Sequence, residues 1–296
     1  MSESELDLEL DAEPLAPAQR SPQLTVNSFG LTDKGRVRPS NQDQFVIVEM
    51  ARTLIVHGTS IPQAKIQYSR HRGHIFLVAD GMGGHQAGDV ASTLTAVTIE
   101  SFLLNTLNRF FNLKASDEQV VLKEFQSALI EADIKLFDEA VHRPELTGMG
   151  TTLTMAFAVN RRLFVAHAGD SRCYLFSRNG LHQLTHDHTV AAQMVHFGAL
   201  STKEASCHPS RHILTNGLGG HAPGVDVELH KLDLEPDDII LVCSDGLTGM
   251  VSDERIAAIL QERQRPQTIC EQLVGEANAN GGTDNITVVV GTFGVA

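Results

Sequence analysis

Ile75-Phe76-Leu77-Val78-Ala79-Asp80-Gly81 is an apolar, strand-like run that stops at an aspartate beside a glycine. The pattern returns at Phe164-Val165-Ala166-His167-Ala168-Gly169-Asp170 and at Ile239-Ile240-Leu241-Val242-Cys243-Ser244-Asp245-Gly246. A mirror image stands at Gly281-Gly282-Thr283-Asp284-Asn285, which leads into the apolar run from Ile286 to Val290. An unpaired carboxylate is costly in a buried strand. Acids at these four strand ends therefore share one need, and a hard divalent cation held by oxygen atoms at one edge of a β-structure meets it most simply. A single Asp-Gly pair reads as a turn; the set does not.

The flanking sequence says what kind of β-structure this is. Val26 to Leu31 and Gln44 to Val48 read as strands around a loop rich in Gly, Pro and Asn. Leu54-Ile55-Val56 and Ile66-Gln67-Tyr68 suggest a hairpin within the segment from Ala51 to Gly73. Two long helices follow, one over about Gln86 to Asn112 and one starting at Ser116, where Gln119 completes a capping-box pattern. In the second, Leu122, Phe125, Leu129, Ala132, Leu136 and Ala140 recur every three or four residues, which makes one apolar face for the first helix to cover. Strands return at Thr151 to Val159, Leu163 to His167, Arg172 to Phe176 and Leu181 to Leu184, with hairpin turns at Asn160-Arg161-Arg162 and Arg178-Asn179-Gly180. His186 to His221 reads as a long irregular flap. Val225 to Leu232 and Ile239 to Val242 are strands, Ser252 to Arg263 and Gln267 to Ala279 are helices separated by Pro266, and Ile286 to Phe293 is a last strand. Long helices interrupting a series of strands are not the regular alternation of a parallel sheet. The class is α+β, with two mostly antiparallel sheets flanked by helices.

Composition narrows the function. Met1 to Gln23 carries acids at Glu3, Glu5, Asp7, Glu9, Asp11 and Glu13 and prolines at Pro14, Pro17 and Pro22, and reads as a disordered acidic tail; residues 24–296 read as one domain. The net charge of −13 argues against nonspecific nucleic-acid binding. No apolar run reaches transmembrane length and no basic-then-apolar leader is present, so a membrane role is not expected. Cys173, Cys207, Cys243 and Cys270 form no C-x-x-C pair; those within apolar runs, as at Cys243, read as buried hydrophobes, and a reducing cytoplasm fits.

Oxygen-only donors favour Mg²⁺ or Mn²⁺, whereas zinc would want His or Cys nearby. Asp80 and Asp245 each precede a glycine, so backbone can approach the ion and lend a carbonyl. A further acid lies in Arg38-Pro39-Ser40-Asn41-Gln42-Asp43. Arg38 beside a metal-bound carboxylate cluster is the expected clamp for a phosphate, because a guanidinium can pair two oxygens in one plane. The plainer reading of that loop is a surface ion pair between Arg38 and Asp43. His186-x-His188 offers a metal pair, set against the plainer reading of solvated loop histidines.

Taken in order, Arg38-x-x-Asn41-x-Asp43, Asp80-Gly81-Met82-Gly83-Gly84-His85, Gly148-Met149-Gly150-Thr151-Thr152, Gly169-Asp170-Ser171-Arg172, Ser244-Asp245-Gly246-Leu247-Thr248 and Thr283-Asp284-Asn285-Ile286-Thr287 resemble the type 2C (PPM) metal-dependent serine/threonine protein phosphatases, and the bacterial branch in particular. The resemblance spans nearly all of Leu24 to Phe293. It implies an α-β-β-α sandwich with a binuclear Mg²⁺/Mn²⁺ centre at one end. Asp80 would bridge both ions, the Gly81 carbonyl would bind one, and Asp245 and Asp284 would complete the more buried one. Asp43 would belong to the ligand network, Asp170 with Asp245 would hold a weaker third ion, and Arg38 would bind the phosphate. A metal-activated water would attack phosphorus in line, without a phosphoenzyme. Phosphorylated proteins are the implied partners, met by a monomer that opposes a bacterial Ser/Thr kinase.

Two positions depart from the family pattern. Gln42 stands where many members have Glu, and Met82 where eukaryotic members have a histidine proposed as general acid; His85 need not replace it, so the proton donor to the leaving group is unassigned. Two other functions compete: a catalytically dead phosphoprotein-binding module of the same fold, and a phosphatase dedicated to an anti-sigma-factor antagonist. No acid of the pattern is missing, which disfavours the first. Relatives of the second kind commonly lack the Arg38-type arginine and much of the flap, and both are present here.

Overall fold

In the computed structural model, which describes residues 24–51, 72–83, 87–110, 118–220 and 222–295, the apolar runs are strands. β1 (Leu24–Asp33), β2 (Asp43–Ala51) and β3 (Arg72–Met82) precede the long helices α1 (Ala87–Phe110) and α2 (Glu118–His142). Then come β4 (Gly150–Thr151), β5 (Leu153–Val159), β6 (Arg162–Ala168), β7 (Arg172–Ser177) and β8 (Gly180–Gln183). α3 (Val190–His196), α4 (Thr202–Ser206), β9 (Leu218–Gly219), β10 (Glu228–Asp233) and β11 (Ile239–Cys243) follow. The chain continues through α5 (Asp245–Thr248), α6 (Asp253–Gln261), α7 (Pro266–Ala279) and β12 (Ile286–Val295).

One sheet runs β1-β12-β11-β7-β8; the other runs β10-β6-β5-β3-β4-β9, with β2 also on β3. All of these pairings are antiparallel. Strand alternation then sorts the core into three layers. Phe76 and Val78 of β3 meet Ile240, Val242 and Val289 of the facing sheet. Their neighbours Ile75, Leu77 and Ala79 join Ile99, Phe125 and Leu129 of α1 and α2. On the far side, Ile239, Leu241 and Cys243 join Ile256, Ile269 and Leu273 of α6 and α7. Strands covered on both faces carry unbroken apolar runs, which is why β3 and β11 were legible as strands without any polar alternation. The layering is the helix-sheet-sheet-helix order expected from the sequence.

The differences from the sequence reading have local causes. The flap is not irregular throughout. Thr189 caps α3 by accepting from Ala192 N–H, and Ser201 and Glu204 form a reciprocal capping box on α4. Helices this short carry no apolar periodicity to read. Pro266 opens α7 rather than standing between two helices, since the first helical position needs no N–H donor. Asp245 begins the short helix α5 rather than a loop. The acidic tail, the hairpin suggested around Leu54 and Ile66, His85 and the Ser116 cap lie outside the described residues. Among the described residues no helix is long and apolar enough to cross a membrane.

Gly291 shows how closely the sheets approach. It alternates with the inward-facing Val289 and Phe293 on β12, and a Cβ there would stand 2.7 Å from the Phe76 ring. Phe76 is fully buried and has nowhere to move. Gly291→Ala is expected to cost about 1–3 kcal/mol in urea unfolding, and Phe76→Leu in the same chain should return part of it. Equal additive losses in the double variant would show that the two residues do not share the space.

Candidate metal centre

The centre is assembled where β2 and β3 begin and end. Asp43 opens β2 and stands opposite Asp80 in the antiparallel register. At Asp80, β3 changes partner: it pairs with β5 as far as Val78 opposite Thr154, and with β4 from Gly81 opposite Thr151. Thr152 and Thr151 hold the switch. Asp80 O accepts from Thr152 N–H (2.9 Å) and Thr151 Oγ1–H (2.8 Å), and Asp80 N–H donates to Thr152 Oγ1 (3.0 Å). Gly81 follows in a space where a Cβ would lie 2.1 Å from the Gly88 carbonyl, so only glycine lets β3 pass the start of α1.

Three other segments bring their acids to the same edge. Asp170 follows β6 and is buried at 8 % exposure. Asp245 follows β11, with Gly246 packed against Asn285 so tightly that a Cβ would lie 1.9 Å from the Asn285 carbonyl. Asp284 precedes β12, and its Oδ2 accepts from Arg38 Nη2 at 2.6 Å. Arg38 therefore pairs with Asp284, not with Asp43 as the plainer sequence reading had it.

Asp43 is the most constrained of the set. Its Oδ2 accepts from Ser244 Oγ–H (2.8 Å) and Thr287 Oγ1–H (2.7 Å), while Oδ1, also buried, has no hydrogen-bond partner. A buried carboxylate oxygen without a donor is costly unless a cation takes that place. Burial pushes the Asp43 carboxyl up to about 6, against the pull of hydrogen bonds with Thr287, Ser244 and Asp80 and with a further push from Asp245. Asp80 is held well above the usual carboxylate range by burial and then by the charges of Asp43, Asp245, Asp170 and Asp284. Asp170 is raised by burial and then by Asp245 and Asp187. The acids are thus close enough to repel one another, and the structure places Arg38 against Asp284 and Arg172 near Asp170. The orphaned oxygen, the glycine-only approaches at Gly81 and Gly246 and the all-oxygen donor set fit hard divalent ions. Among the described residues, the groups of three His or acidic donors close enough to share a single ion contain histidines and lie elsewhere.

Several positions in the site escaped the sequence reading. Asn285 is a hub: its Oδ1 accepts from Gln42 N–H, and its Nδ2 donates to the Lys34 and Ser40 carbonyls, all at 2.9 Å. It thereby fixes the Arg38 loop to the start of β12. Ser244 and Thr287 are the donors to Asp43; each lies within a quoted motif, yet nothing in the spacing says which atom they serve. Gln42 contributes its backbone, with its carbonyl accepting from Gly81 N–H and Ser92 Oγ–H. In the flap, His212 reaches back to Asp245, with Nδ1 at 3.4 Å from Oδ2. His186, largely exposed as a solvated loop histidine would be, and His188 both meet Glu228.

Comparison with known proteins gives the same picture. The family model for protein phosphatase 2C matches residues 49–194 and 221–286. The serine/threonine phosphatase stp of Listeria welshimeri is 34 % identical over 260 residues, 88 % of this chain and 92 % of that protein. The crystal structure of the Mycobacterium tuberculosis serine/threonine phosphatase PstP/Ppp superposes with a TM-score of 0.72 at 30 % identity, over 90 % of this chain and 98 % of that one. A structure of the catalytic domain of PstP in complex with two manganese ions superposes with a TM-score of 0.71 at 30 % identity, over 92 % of this chain and 99 % of that one.

The raised Asp43 carboxyl has a consequence for the metal-free chain. The folded state keeps a proton that the unfolded state has already released, between the ordinary value of 3.8 and about 6. Asp43 therefore lowers stability as pH rises through that window, by about 3 kcal/mol in total. In chelator, Asp43→Asn should match wild type near pH 4 and exceed it in melting temperature at pH 7, with the order reversed by Mn²⁺. A variant less stable than wild type in chelator at pH 7 would mean that Asp43 is not a strained acid.

Proposed function

The chain belongs to the protein phosphatase 2C family, and we propose that its reaction centre is the aspartate cluster around Asp80, with Arg38 at its mouth. The protein is a metal-dependent serine/threonine protein phosphatase of that family, and the family works with Mg²⁺ or Mn²⁺. The observation that carries the assignment is convergence: five acids from separate chain segments meet at one edge of the sandwich, and one of them keeps a buried oxygen with no protein donor.

In this reading Asp80, the Gly81 carbonyl, Asp245 and Asp284 would hold the divalent ions. Asp43 belongs to the same network, and Asp170 with Asp245 takes a weaker third. Divalent ions held there would supply positive charge for the phosphoryl oxygens and would lower the pKa of a water toward neutrality. The chain's own residues position the rest. Ser244 and Thr287 orient Asp43, so that its free oxygen points where a cation is needed. Arg38, half exposed, spends one N–H on Asp284 and offers the remainder of its planar fork to a phosphate. Asp284 raises the Arg38 pKa, chiefly through that hydrogen bond, so the guanidinium stays charged throughout.

Phosphorylated proteins are its substrates. The finer reading has residues 24–296 act as one catalytic domain behind a tail at 1–23. It has that domain work as a cytoplasmic monomer opposite a bacterial Ser/Thr kinase, which the reaction needs as the source of its substrate. Cys173, Cys207, Cys243 and Cys270 all being free supports a reducing compartment. The presence of Arg38 and of a flap built around α3 and α4 supports the general protein-phosphatase branch over the anti-sigma-factor-antagonist one.

With a phosphothreonine peptide and Mn²⁺, Asp245→Asn should lower kcat by at least about 100-fold. Arg38→Ala should raise KM by about 10-fold or more with manganese still bound. Full activity in Asp245→Asn, or turnover in EDTA, would overturn the assignment of the centre; manganese loss in Arg38→Ala would make that residue structural.

A further inference from the structure

A second group of metal-binding side chains gathers away from the aspartates. Glu228 and His230 are two apart on β10, an edge strand paired to β6, and alternation sets them on one face. His186 joins them from the segment after β8. Glu228 Oε1 lies 2.6 Å from His186 Nδ1 and 2.5 Å from His230 Nε2. One donor atom from each of the three residues lies within 4.8 Å of the others. Solvent reaches the group, since the His186 side chain is 83 % exposed.

Neighbouring groups decide which atoms are available. Glu228 Oε2 accepts from His186 N–H at 3.1 Å and faces His188 Nε2 at 3.3 Å. His188 Nδ1 accepts from Gly169 N–H (3.1 Å) and from Asn216 Nδ2 (2.9 Å), so the proton of the neutral ring sits on Nε2. His188 is therefore an orienting partner of Glu228 and not a ligand. His167, fully buried beside it, has both ring nitrogens engaged, Nδ1 with Thr154 Oγ1 and Nε2 with the His186 carbonyl. That leaves His186 Nδ1, His230 Nε2 and Glu228 Oε1. The same three histidines that surround the carboxylate hold Glu228 well below the usual range, although its burial works in the opposite direction.

We propose that His186, Glu228 and His230 form a site for a borderline transition-metal cation of the Zn²⁺ class, separate from the aspartate centre. Two imidazoles and one carboxylate with a position open to solvent are a zinc-type donor set, whereas the all-oxygen aspartates select hard cations. The chain thus sorts two kinds of metal by ligand chemistry. The Glu228–His188 pair supplies the outer hydrogen bond that such a carboxylate ligand ordinarily has. It also links the site to the active edge. His188 accepts from Gly169 N–H and donates its own N–H to the Gly169 carbonyl, and Asp170 is the next residue.

The test is Zn²⁺ affinity of the intact chain, measured by competition with a chromophoric chelator at saturating Mn²⁺. One site is expected in wild type. Its Kd should rise at least about 100-fold in His186→Ala/His230→Ala, stay unchanged in Asp245→Asn, and leave Mn²⁺-dependent activity of the double variant within about twofold of wild type. His186→Ala alone, at an exposed side chain that leaves the core intact, should raise Kd about 10-fold and guards against a folding defect in the double variant. Equal zinc affinity in wild type and the histidine variants, or loss of the site in Asp245→Asn alone, would overturn the proposal and put zinc among the aspartates.

Discussion

Like charges held together out of water are the constraint on which the rest of this structure turns. Asp43, Asp80 and Asp170 are buried or nearly so, and each is pushed toward its neutral form, first by that burial and then by neighbouring aspartates. Such a cluster opposes folding unless positive charge is brought to it. Arg38 provides some, through Asp284, at the exposed rim. Arg172 acts on Asp170 in the same direction from the inner side. The acids are therefore best seen as a cost that the sandwich carries in exchange for cation affinity, with stability drawn from the three apolar layers elsewhere.

Those layers also supply precision. Asp80, Asp170, Asp245 and Asp284 each sit at one end of a strand that is largely buried, which fixes their backbone. The connections between segments are short and specific. Asn285 holds the Arg38 loop, Thr152 holds the partner switch of β3, and Ser244 and Thr287 hold one oxygen of Asp43 while the other has no hydrogen-bond donor. Glycines at Gly81 and Gly246 let separate backbones come within contact where any side chain would collide. A ligand set built from five segments is rigid only if such cross-links exist, and here they do.

Much of this was legible in the sequence. Apolar runs with an aspartate at one end located both the central strands and four of the acids, because a strand covered on both sides needs an unbroken apolar run and a buried acid needs a reason. Asp43 was reached differently: it lies at the start of its strand after a polar loop, and only the ordered motifs pointed to it. The hydroxyl donors Ser244 and Thr287, and the hub Asn285, were invisible as roles, since a hydrogen bond across 201 to 245 residues leaves no local pattern. The flap helices were missed because capping, not periodicity, defines them; Ser201-Thr202-Lys203-Glu204 was the available signal. The histidine cluster went unseen for a related reason. Its members come from β10 and from the segment after β8, and only the fold brings them together.

The central claim is that the aspartate edge holds two hard cations with Asp80 between them. Anomalous diffraction at the manganese edge, from crystals of the intact chain grown with Mn²⁺, tests it directly. The account predicts two strong peaks that share the Asp80 carboxylate, with Asp245 and Asp284 on one of them. A single peak that Asp80 does not touch, or manganese bound only at His186, Glu228 and His230, would contradict it.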